Sequence, residues 1–468
     1  MRKGSFITEK KIAQKIAALT VGLSFEDLPA YAVNHAKTLT LDVLASMVGT
    51  RNVITSQIAR ETAEELGGAA ECTLVGSSKK VSAPNAAFAN AIQCYGYDFV
   101  DDHNESNAHP SPATFPVSLA LAEKLKKSGK EFIEAVCLGN EVVCRLGSAY
   151  LGDMYYQGFH PTSTCGSMGA AVSAAKLLGL DETATVYVQG IAGSTVAGLM
   201  AWNSEGSFTK RFQAGHPAMN AVICAYLAQK GFNGPSDIYE GKDGILHAYS
   251  YLDHSDTKFL TEGLGEKWEF ASSSIKVYPC CRYSGGHLDA CLELVHQYSP
   301  DPEQIEKISI RSSKYTMRLL AEERKWQPHN IVDLQFSMPY QAAIAFVNGK
   351  VTVDEFDVKY IDDPLVRSLM ERMTVTEDLE FEARYPEHYS SAVKITLRGG
   401  MEYEAVIDDP KGDWRNPVTF DDVKNKFRAL ANRVYASPER TERIIAYVEA
   451  LEQQPDLSAL MALVNDAD

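Results

Sequence analysis

Hydrophobic positions in the first part of the chain repeat with the period of a helix. Over 31–48, apolar side chains recur at helical spacing, and Gly49 then supplies a helix end. The same spacing predicts further helices, over 86–94, 116–127, 165–178 and 217–230. Small residues follow one side of 165–178, so a neighbouring helix can approach it closely. The pattern predicts an all-helical region.

The pattern changes after about residue 270. Apolar and polar residues alternate over 308–310, as in a half-buried strand. The segments 393–397 and 403–407 also alternate and flank two glycines, which predicts a hairpin. Helical spacing returns after Pro417. This region therefore mixes strands with short helices before the chain becomes helical again.

The order of these patterns predicts a mainly α protein with two domains. A chain of 468 residues is longer than one hydrophobic core usually organises. We expect a large all-helical domain formed by 1–270 plus 410–468, with a smaller α+β domain over 271–409 inserted into it.

Composition and charge exclude several classes of protein. The formal net charge of −16 provides no attractive field for nucleic acid, and no block of lysine and arginine suggests a membrane surface. No run of about 18 apolar residues is present, and the first residues contain no apolar signal segment. The nine cysteines lack the spacing of a disulfide framework. We expect a cytoplasmic protein that binds an anionic small molecule through a few local basic residues.

Four segments concentrate polar side chains that neither a core nor a plain surface needs. They lie at 98–111, 158–164, 210–216 and 275–287. Each alone has an ordinary explanation: a solvated acidic loop, a structural histidine before proline, surface lysine and arginine, or inert buried thiols. Two His-Pro segments and two lysine-bearing segments in one chain favour a common polar site.

The motifs in these segments follow one another in a recognisable order. Asp98 to Ser111 is similar to D-F-D-D-T-H-x-x-x-x-x-H-P-S and precedes P-V-S-L-A-L-A-E at 116–123. Later motifs are G-F-H-P-T at 158–162, K-R-x-x-A-G at 210–215, K-x-Y-P-C-C at 276–281, F-S-M-P-Y at 336–340 and G-D-x-x-N-P at 412–417. In this order they resemble the MmgE/PrpD family, which includes 2-methylcitrate dehydratase, cis-aconitate decarboxylase and iminodisuccinate epimerase. The likeness spans nearly the whole chain.

The resemblance implies a fold, an assembly and a set of site residues. It implies an all-helical domain and an α+β lid domain in a homodimer, with a small carboxylic acid bound in the cleft between the domains and no metal or cofactor. The implied catalytic residues are His160, His109, Tyr340 and Asp98, and the implied substrate-binding residues are Lys210, Lys276, Asp102, His103 and Cys281.

These residue types suit proton removal next to a carboxylate. Such a hydrogen is very weakly acidic, so the carbanion-like state needs stabilising where its charge develops. Lys210 and Lys276 can hold carboxylates as compact cations. His160 or His109 has an ordinary pKa of about 6.5, suited to proton transfer near neutral pH. Tyr340 can donate to a carboxylate or assist a leaving hydroxyl, and Asp98 can orient an imidazole or hold the loop.

Three positions depart from the family pattern. Asp102 stands where a threonine is usual, Gln213 where many members have histidine, and Cys281 where the decarboxylases have histidine. A carboxylate beside a tricarboxylate repels it, more strongly in a low-dielectric cleft. We therefore expect a substrate with fewer carboxylates than methylcitrate, or one with an amino group that pairs with Asp102.

These observations predict a cofactor-independent lyase that removes water from a small hydroxylated di- or tricarboxylic acid. An epimerase or isomerase of a dicarboxylate would use the same deprotonation and return the proton to the other face. Decarboxylation of a cis-aconitate-like acid is a third alternative, which Cys281 disfavours.

Alternatives from other classes use the same residues differently. A metal-dependent hydrolase would take Asp101, Asp102, His103 and His109 as ligands. An iron–sulfur dehydratase would need cysteine spacing that 280, 281 and 291 lack. A non-catalytic binding protein results if Asp102 disables the site.

Overall fold

The computed structural model describes residues 10–250 and 254–465, and its first part consists almost entirely of helices. The helices are α1 (Ile12–Gly22), α2 (Ala30–Gly49), α3 (Ile54–Leu66), α4 (Ala83–Cys94), α5 (Ser111–Leu125), α6 (Gly129–Ala149), α7 (Asp153–Tyr156), α8 (Pro161–Leu178), α9 (Glu182–Gly193), α10 (Trp202–Glu205), α11 (Thr209–Gln229), α12 (Ile245–Ala248) and α13 (Lys258–Thr261). Two short antiparallel strands, β1 (Cys72–Thr73) and β2 (Lys80–Val81), lie between α3 and α4. The residues on which the absence of a signal segment was predicted, 1–9, lie outside the described residues.

Helix α8 lies at the centre of this helical part. It packs against α5, α6 and α11, and its small side chains allow the contact predicted from the sequence. A Cβ atom at Gly169 would lie 2.3 Å from the backbone oxygen of Gly139 on α6, so only glycine fits there. This close packing fixes the N-terminal end of α8, where His160 is the capping residue.

The following region forms a sheet covered by helices. Its elements are α14 (Gly285–Tyr298), β3 (Ile305–Ser312), α15 (Lys314–Leu320), α16 (Ile331–Gln335), α17 (Met338–Asn348), α18 (Pro364–Glu371), β4 (Met373–Glu377), α19 (Leu379–Arg384), β5 (Ser391–Leu397) and β6 (Glu402–Ile407). The strand order is β4-β3-β5-β6, with β3 parallel to β4 and antiparallel to β5. The predicted hairpin is confirmed as β5 and β6. Strand β4 was not predicted, because its alternation of apolar and polar residues covers only five positions and only Met373 in it is buried.

The last helices return to the helical part. They are α20 (Phe420–Ala431), α21 (Pro438–Glu449) and α22 (Ser458–Asn465), and α20 packs against α2. Their buried apolar side chains join the same hydrophobic core as α1 to α11, whereas the side chains of the sheet region form a second core. The predicted fold class, mainly α with a smaller α+β domain, is confirmed. We call the sheet region the lid; its limits at 271 and 409 stay a prediction.

Four helices begin three or more residues earlier than the sequence pattern predicted, among them α4, which begins at Ala83 rather than 86. Helix α5 begins at Ser111 rather than 116, and α11 begins at Thr209 rather than 217, because Pro116 and Pro217 lie inside helices. Helix α8 begins at Pro161 rather than 165. The earlier starts place Lys210 and the segment after His160 on rigid helices. Among the described helices, none is long and apolar enough to cross a membrane.

Candidate active site

A cavity between the helical part and the lid gathers most of the predicted site residues. The helical wall is lined by Asp98, Asp102, Asn107, His109, Tyr155, His160, Met200, Trp202 and Lys210. The lid wall is lined by Cys281, Arg282, Tyr283, Phe336 and Tyr389. The cavity volume is about 40 Å³, enough for only a few water molecules, since one water needs about 10–15 Å³ on this measure. An acid of several carbons therefore fits only if lining side chains or the lid move.

Asp98 is the centre of a buried charge cluster. Its Oδ1 atom accepts hydrogen bonds from Nζ of Lys210 at 2.6 Å and from Nζ of Lys276 at 3.0 Å. Lys276 also donates to the backbone oxygen of Asp98 at 3.0 Å, and Lys210 donates to the hydroxyl of Tyr95 at 2.8 Å. Asp98 has a φ of 54°, a left-handed conformation that costs free energy for a residue with a Cβ atom. The two lysines and the local backbone thus fix this carboxylate in place.

The charges in the cluster shift one another's pKa values. Burial favours a neutral Asp98, but the ammonium groups of Lys210 and Lys276 outweigh burial and hold its pKa below the usual range. Burial lowers the pKa of Lys210 to about 8. Burial also acts to lower the pKa of Lys276, but Asp98 and Asp102 outweigh it and raise that pKa above the usual value. At neutral pH the cluster contains two ammonium groups around one carboxylate.

His160 is held in one tautomer by a chain of hydrogen bonds. Nε2 of Gln213 donates to the backbone oxygen of Leu199 at 2.8 Å, so Oε1 of the same amide faces Nδ1 of His160 at 2.6 Å. Since that oxygen only accepts, Nδ1 carries the proton and Nε2 keeps its lone pair. Burial and, to a smaller extent, the ammonium of Lys210 lower the pKa of His160 to about 3. His160 is therefore a neutral imidazole in the cavity wall.

His109 is oriented by the acidic loop. Its Nδ1 atom donates to the backbone oxygen of Asp101 at 2.8 Å and lies 3.2 Å from Oδ1 of Asp102. Its Nε2 atom lies 4.0 Å from Oδ1 of Asp98. Asp101 is itself fixed by the hydroxyl of Ser111, which donates to its carboxyl group at 2.8 Å. Burial lowers the pKa of His109 well below its usual value, so this imidazole is also neutral.

Asp102 faces charged groups in the cavity rather than solvent. It is buried, its Oδ2 atom lies 3.7 Å from Nε of Arg282, and Oδ1 faces His109. Burial raises its pKa to about 6, although Arg282 and Lys276 oppose that shift. The departure from threonine noted in the sequence therefore changes the charge of the cavity wall.

The lid wall is aromatic and contains one cation. Tyr283 and Tyr389 pack with their ring centroids 4.9 Å apart, and Phe336 packs against Trp202 at 5.1 Å. Burial raises the pKa of the Cys281 thiol to about 12, so the thiol is protonated and weakly reactive. Arg282 is the cation of this wall and also pairs with Asp413. The lid thus contributes apolar surface and a guanidinium.

Three predicted site residues do not line the cavity. The Tyr340 hydroxyl donates to the backbone oxygen of Glu355 inside the lid core, so it is not placed to donate to a substrate. His103 is buried beside Glu105, with Nε2 3.6 Å from a carboxylate oxygen. Lys276 contacts Asp98 from outside the lining. These motif residues support the fold or the charge cluster.

The acidic loop does not present its side chains as one metal ligand set. Asp101 bonds to Ser111, Asp102 faces Arg282, and Nδ1 of His103 accepts from the backbone N–H of Ser106. Across residues 10–250 and 254–465, no group of three or more His, Cys, Asp or Glu side chains is arranged to hold a metal ion.

Sequence reasoning missed several residues of the cavity. Four aromatic residues of the cavity lie outside the recognised motifs: Tyr155, Trp202, Tyr283 and Tyr389. Nothing in the neighbouring sequence distinguishes these tyrosines from the other tyrosines of the chain. Arg282 had a signal, because it directly follows the K-x-Y-P-C-C motif. Gln213 was noted as a departure and orients His160. The aromatic lining depends on contacts between distant segments, which no local pattern shows.

Comparison with known proteins agrees with these motifs. The MmgE/PrpD N-terminal domain matches residues 14–257, and the MmgE/PrpD C-terminal domain matches residues 278–453. The chain is 28% identical to the cis-aconitate decarboxylase-like protein oryM of Aspergillus oryzae, over 98% of each chain. It is 28% identical to human cis-aconitate decarboxylase, over 97% of this chain and 95% of the human protein. A 30% identity to 2-methylcitrate dehydratase of Escherichia coli O157:H7 covers 32% of each chain. Since the N-terminal domain alone matches more than half of the sequence, the chain belongs to the MmgE/PrpD family.

Proposed function

We propose that the chain is a cofactor-independent lyase that removes water from a small hydroxylated di- or tricarboxylic acid. The observation that carries the proposal is the orientation of His160. Oε1 of Gln213 accepts a hydrogen bond from the Nδ1–H group of His160, which leaves the Nε2 lone pair for a substrate proton. The imidazole lies in the same cavity wall as Lys210, a cation suited to the adjacent carboxylate.

Donors for the substrate carboxylates remain available in the cavity. The ammonium of Lys210 has three N–H groups, and Asp98 and Tyr95 accept two of them. Nε of Arg282 is buried without a hydrogen-bond partner among the described residues. A buried donor without a partner costs free energy, so a bound carboxylate would stabilise both the donor and itself. One carboxylate at Lys210 and one at Arg282 suit a dicarboxylate unit.

His160 can balance the protons of a dehydration by itself. Its Nε2 atom takes the proton from the carbon next to a carboxylate, and the electron pair moves toward that carboxylate. The carbon–oxygen bond then breaks, and the imidazolium returns its proton to the leaving hydroxyl, which departs as water. Lys210 stabilises the carboxylate while charge develops on it.

Decarboxylation is the second candidate, and similarity over nearly the full length favours it. The full-length relatives named above carry cis-aconitate decarboxylase names, whereas the dehydratase match covers a third of the chain. In that reaction the carbon–carbon bond to a carboxylate breaks, carbon dioxide leaves, and the carbanion needs a proton. His160 would have to bind the substrate as an imidazolium, which its pKa of about 3 disfavours.

One experiment separates these reactions. The protein is incubated in deuterated water with a panel of hydroxylated and unsaturated di- and tricarboxylic acids, after treatment with a chelator, and followed by NMR. Loss of water supports the proposal, loss of carbon dioxide supports decarboxylation, and deuterium incorporation without loss of mass supports an epimerase or isomerase. No change in any acid would contradict all three.

A further inference from the structure

Behind the charge cluster, a third lysine joins two segments of the active site. Lys426 on α20 is 9% exposed, and its ammonium donates to Oδ1 of Asp42 on α2 at 2.7 Å. It also donates to the backbone oxygens of Phe99 at 2.8 Å and Lys276 at 3.0 Å. All three of its N–H groups are therefore used. It does not line the catalytic cavity.

The acceptors of Lys426 belong to the segments that form the charge cluster. Phe99 directly follows Asp98, whose carboxylate and backbone oxygen both accept from Lys276. The same two segments meet again through an antiparallel bridge between Asp102 and Ser274, with backbone hydrogen bonds of 2.9 and 2.6 Å. The bridge fixes one end of the contact, and the ammonium of Lys426 fixes the other.

Without that ammonium, the backbone oxygen of Lys276 and the carboxylate of Asp42 would lose the hydrogen bonds that it donates, and the backbone oxygen of Phe99 would keep only the one from the hydroxyl of Ser46. Burial already raises the pKa of Asp42, and its Oδ2 atom has no hydrogen-bond partner among the described residues. Phe99 packs on the ammonium, with its ring centroid 3.6 Å from Nζ. Loss of the contact would free the 98–99 backbone, which is held in a left-handed conformation at Asp98.

We propose that Lys426 is a positioning residue that keeps Asp98 within reach of both Lys210 and Lys276. It acts through the two backbone segments and touches no substrate. This role of Lys426 rests on the proposed function in one respect only, because one of its two tests measures the turnover of a substrate. A shift of about 1 Å in a catalytic group can lower turnover by about a hundredfold, so the loss of Lys426 should lower kcat, and it should also raise KM because Lys210 is held by the same cluster.

The structure offers a chemical rescue test. A solvent-open cavity of about 440 Å³ is lined by Lys426, Phe99 and Lys276, so a small amine can reach the position of the ammonium. In Lys426→Ala, propylammonium replaces the missing part of the side chain. In Lys426→Met the apolar side chain fills that space, and propanol supplies the same length without the charge.

The matched control is another buried lysine pair. Lys176 on α8 pairs with Glu134 at 3.0 Å, donates to the backbone oxygen of Leu23, and contacts neither active-site segment. Lys426→Met should lower kcat about ten- to a hundredfold, and Lys176→Met should lower it less than about threefold. Propylammonium should raise kcat of Lys426→Ala at least about fivefold, with no effect of propanol and none on Lys426→Met.

A double variant keeps the test valid if Lys426→Met does not fold. Asp42→Leu with Lys426→Met removes both buried charges, an exchange that is often neutral for stability. The double variant should fold, keep the low kcat, and show faster backbone hydrogen exchange over 98–102 and 274–277 than wild type. Equal kcat losses in the Lys426 and Lys176 variants, or unchanged exchange in both segments, would overturn the proposal. The exchange measurement needs no substrate, so it stands even if the proposed reaction is wrong.

Discussion

The two walls of the cavity differ in chemistry. The helical wall presents Asp98, His109, His160 and Lys210, all buried or nearly so and all oriented by hydrogen bonds. The lid wall presents aromatic rings, a protonated thiol and the guanidinium of Arg282. Two groups of the cavity have a pKa near neutral, Lys210 at about 8 and Asp102 at about 6, and both lie on the helical wall.

The difference follows from how each wall is built. The groups of the helical wall start from helix ends fixed by close packing, such as His160 at the start of α8 and Lys210 in the first turn of α11. The lid residues lie on a separate hydrophobic core. Because the cavity of about 40 Å³ must enlarge to admit an acid, we expect the lid wall to govern access to the cavity, and the helical wall to hold a substrate carboxylate and to transfer the proton.

The largest expected effect tests the helical wall. His160→Ala should lower kcat about 10²- to 10⁴-fold with little change in KM, because a base acts only as the proton moves. His216→Ala is the matched control, since His216 is on α11 with Gln213 but lines no part of this cavity. Steady-state kinetics on the acid found by NMR measures both. A similar loss of kcat in Tyr389→Phe would show that the division between the walls is wrong. If His160→Ala keeps the kcat of the wild type, His109 is the next candidate for the base.

A second, smaller effect separates binding from proton transfer within the helical wall. Lys210→Ala and Lys276→Ala should raise KM about ten- to a hundredfold, the range for a lost charge-assisted hydrogen bond. Lys210 lines the cavity, whereas the ammonium of Lys276 donates to the carboxylate and the backbone oxygen of Asp98 from outside the lining, so the increase should be larger for Lys210. An equal increase in both would place Lys276 in contact with the substrate. A loss confined to kcat would contradict the binding role of either lysine.

The sequence predicted the groups of the helical wall better than those of the lid wall. Four residues of the helical wall lie in the ordered motifs of the sequence, and the structure brings all four together: Asp98, His109, His160 and Lys210. Tyr340 lies in an equally clear motif, but its hydroxyl bonds inside the lid core. A sequence motif therefore identifies residues of the family pattern, but it does not show whether a side chain lines the cavity or lies in a hydrophobic core.

The fold was predictable where the period of burial is simple. The helical spacing and the hairpin gave the fold class, while β4 was missed because this parallel edge strand has only five residues and one buried side chain. The helix starts at 111 and 209 were missed because proline usually marks a first turn. Packing inside the helical core overrides that preference at Pro116 and Pro217.

A third prediction concerns Asp102, a carboxylate that lies between His109 of the helical wall and Arg282 of the lid wall. Asp102→Thr should improve kcat/KM for citrate-like tricarboxylates about tenfold, because it removes a repulsion and adds a donor. Arg282, 3.7 Å away, already screens part of that charge. Above its pKa of about 6 Asp102 is charged, so the gap between variant and wild type should narrow as pH falls through 6. An unchanged ranking across mono-, di- and tricarboxylates would rule this role out.

The smallest expected effect is a fall of kcat/KM with rising pH. It shows which wall contains the cation that binds the substrate carboxylate. The pKa of Lys210 is lowered to about 8 by burial, so the ammonium is charged below pH 8 and loses its proton above it. The pH dependence of kcat/KM follows the protonation of Lys210 in the free enzyme, so kcat/KM should fall about twofold between pH 7 and 8. The value of kcat should stay level, because a bound carboxylate keeps Lys210 protonated. Lys210→Arg should remove the decline, since a guanidinium keeps its charge. Burial also lowers the pKa of Lys325 in the lid to about 8, but this lysine lies outside the cavity lining and serves as the control. If Lys325→Arg removes the decline and Lys210→Arg does not, the titrating cation belongs to the lid, and the helical wall does not hold all the groups that titrate near neutral pH.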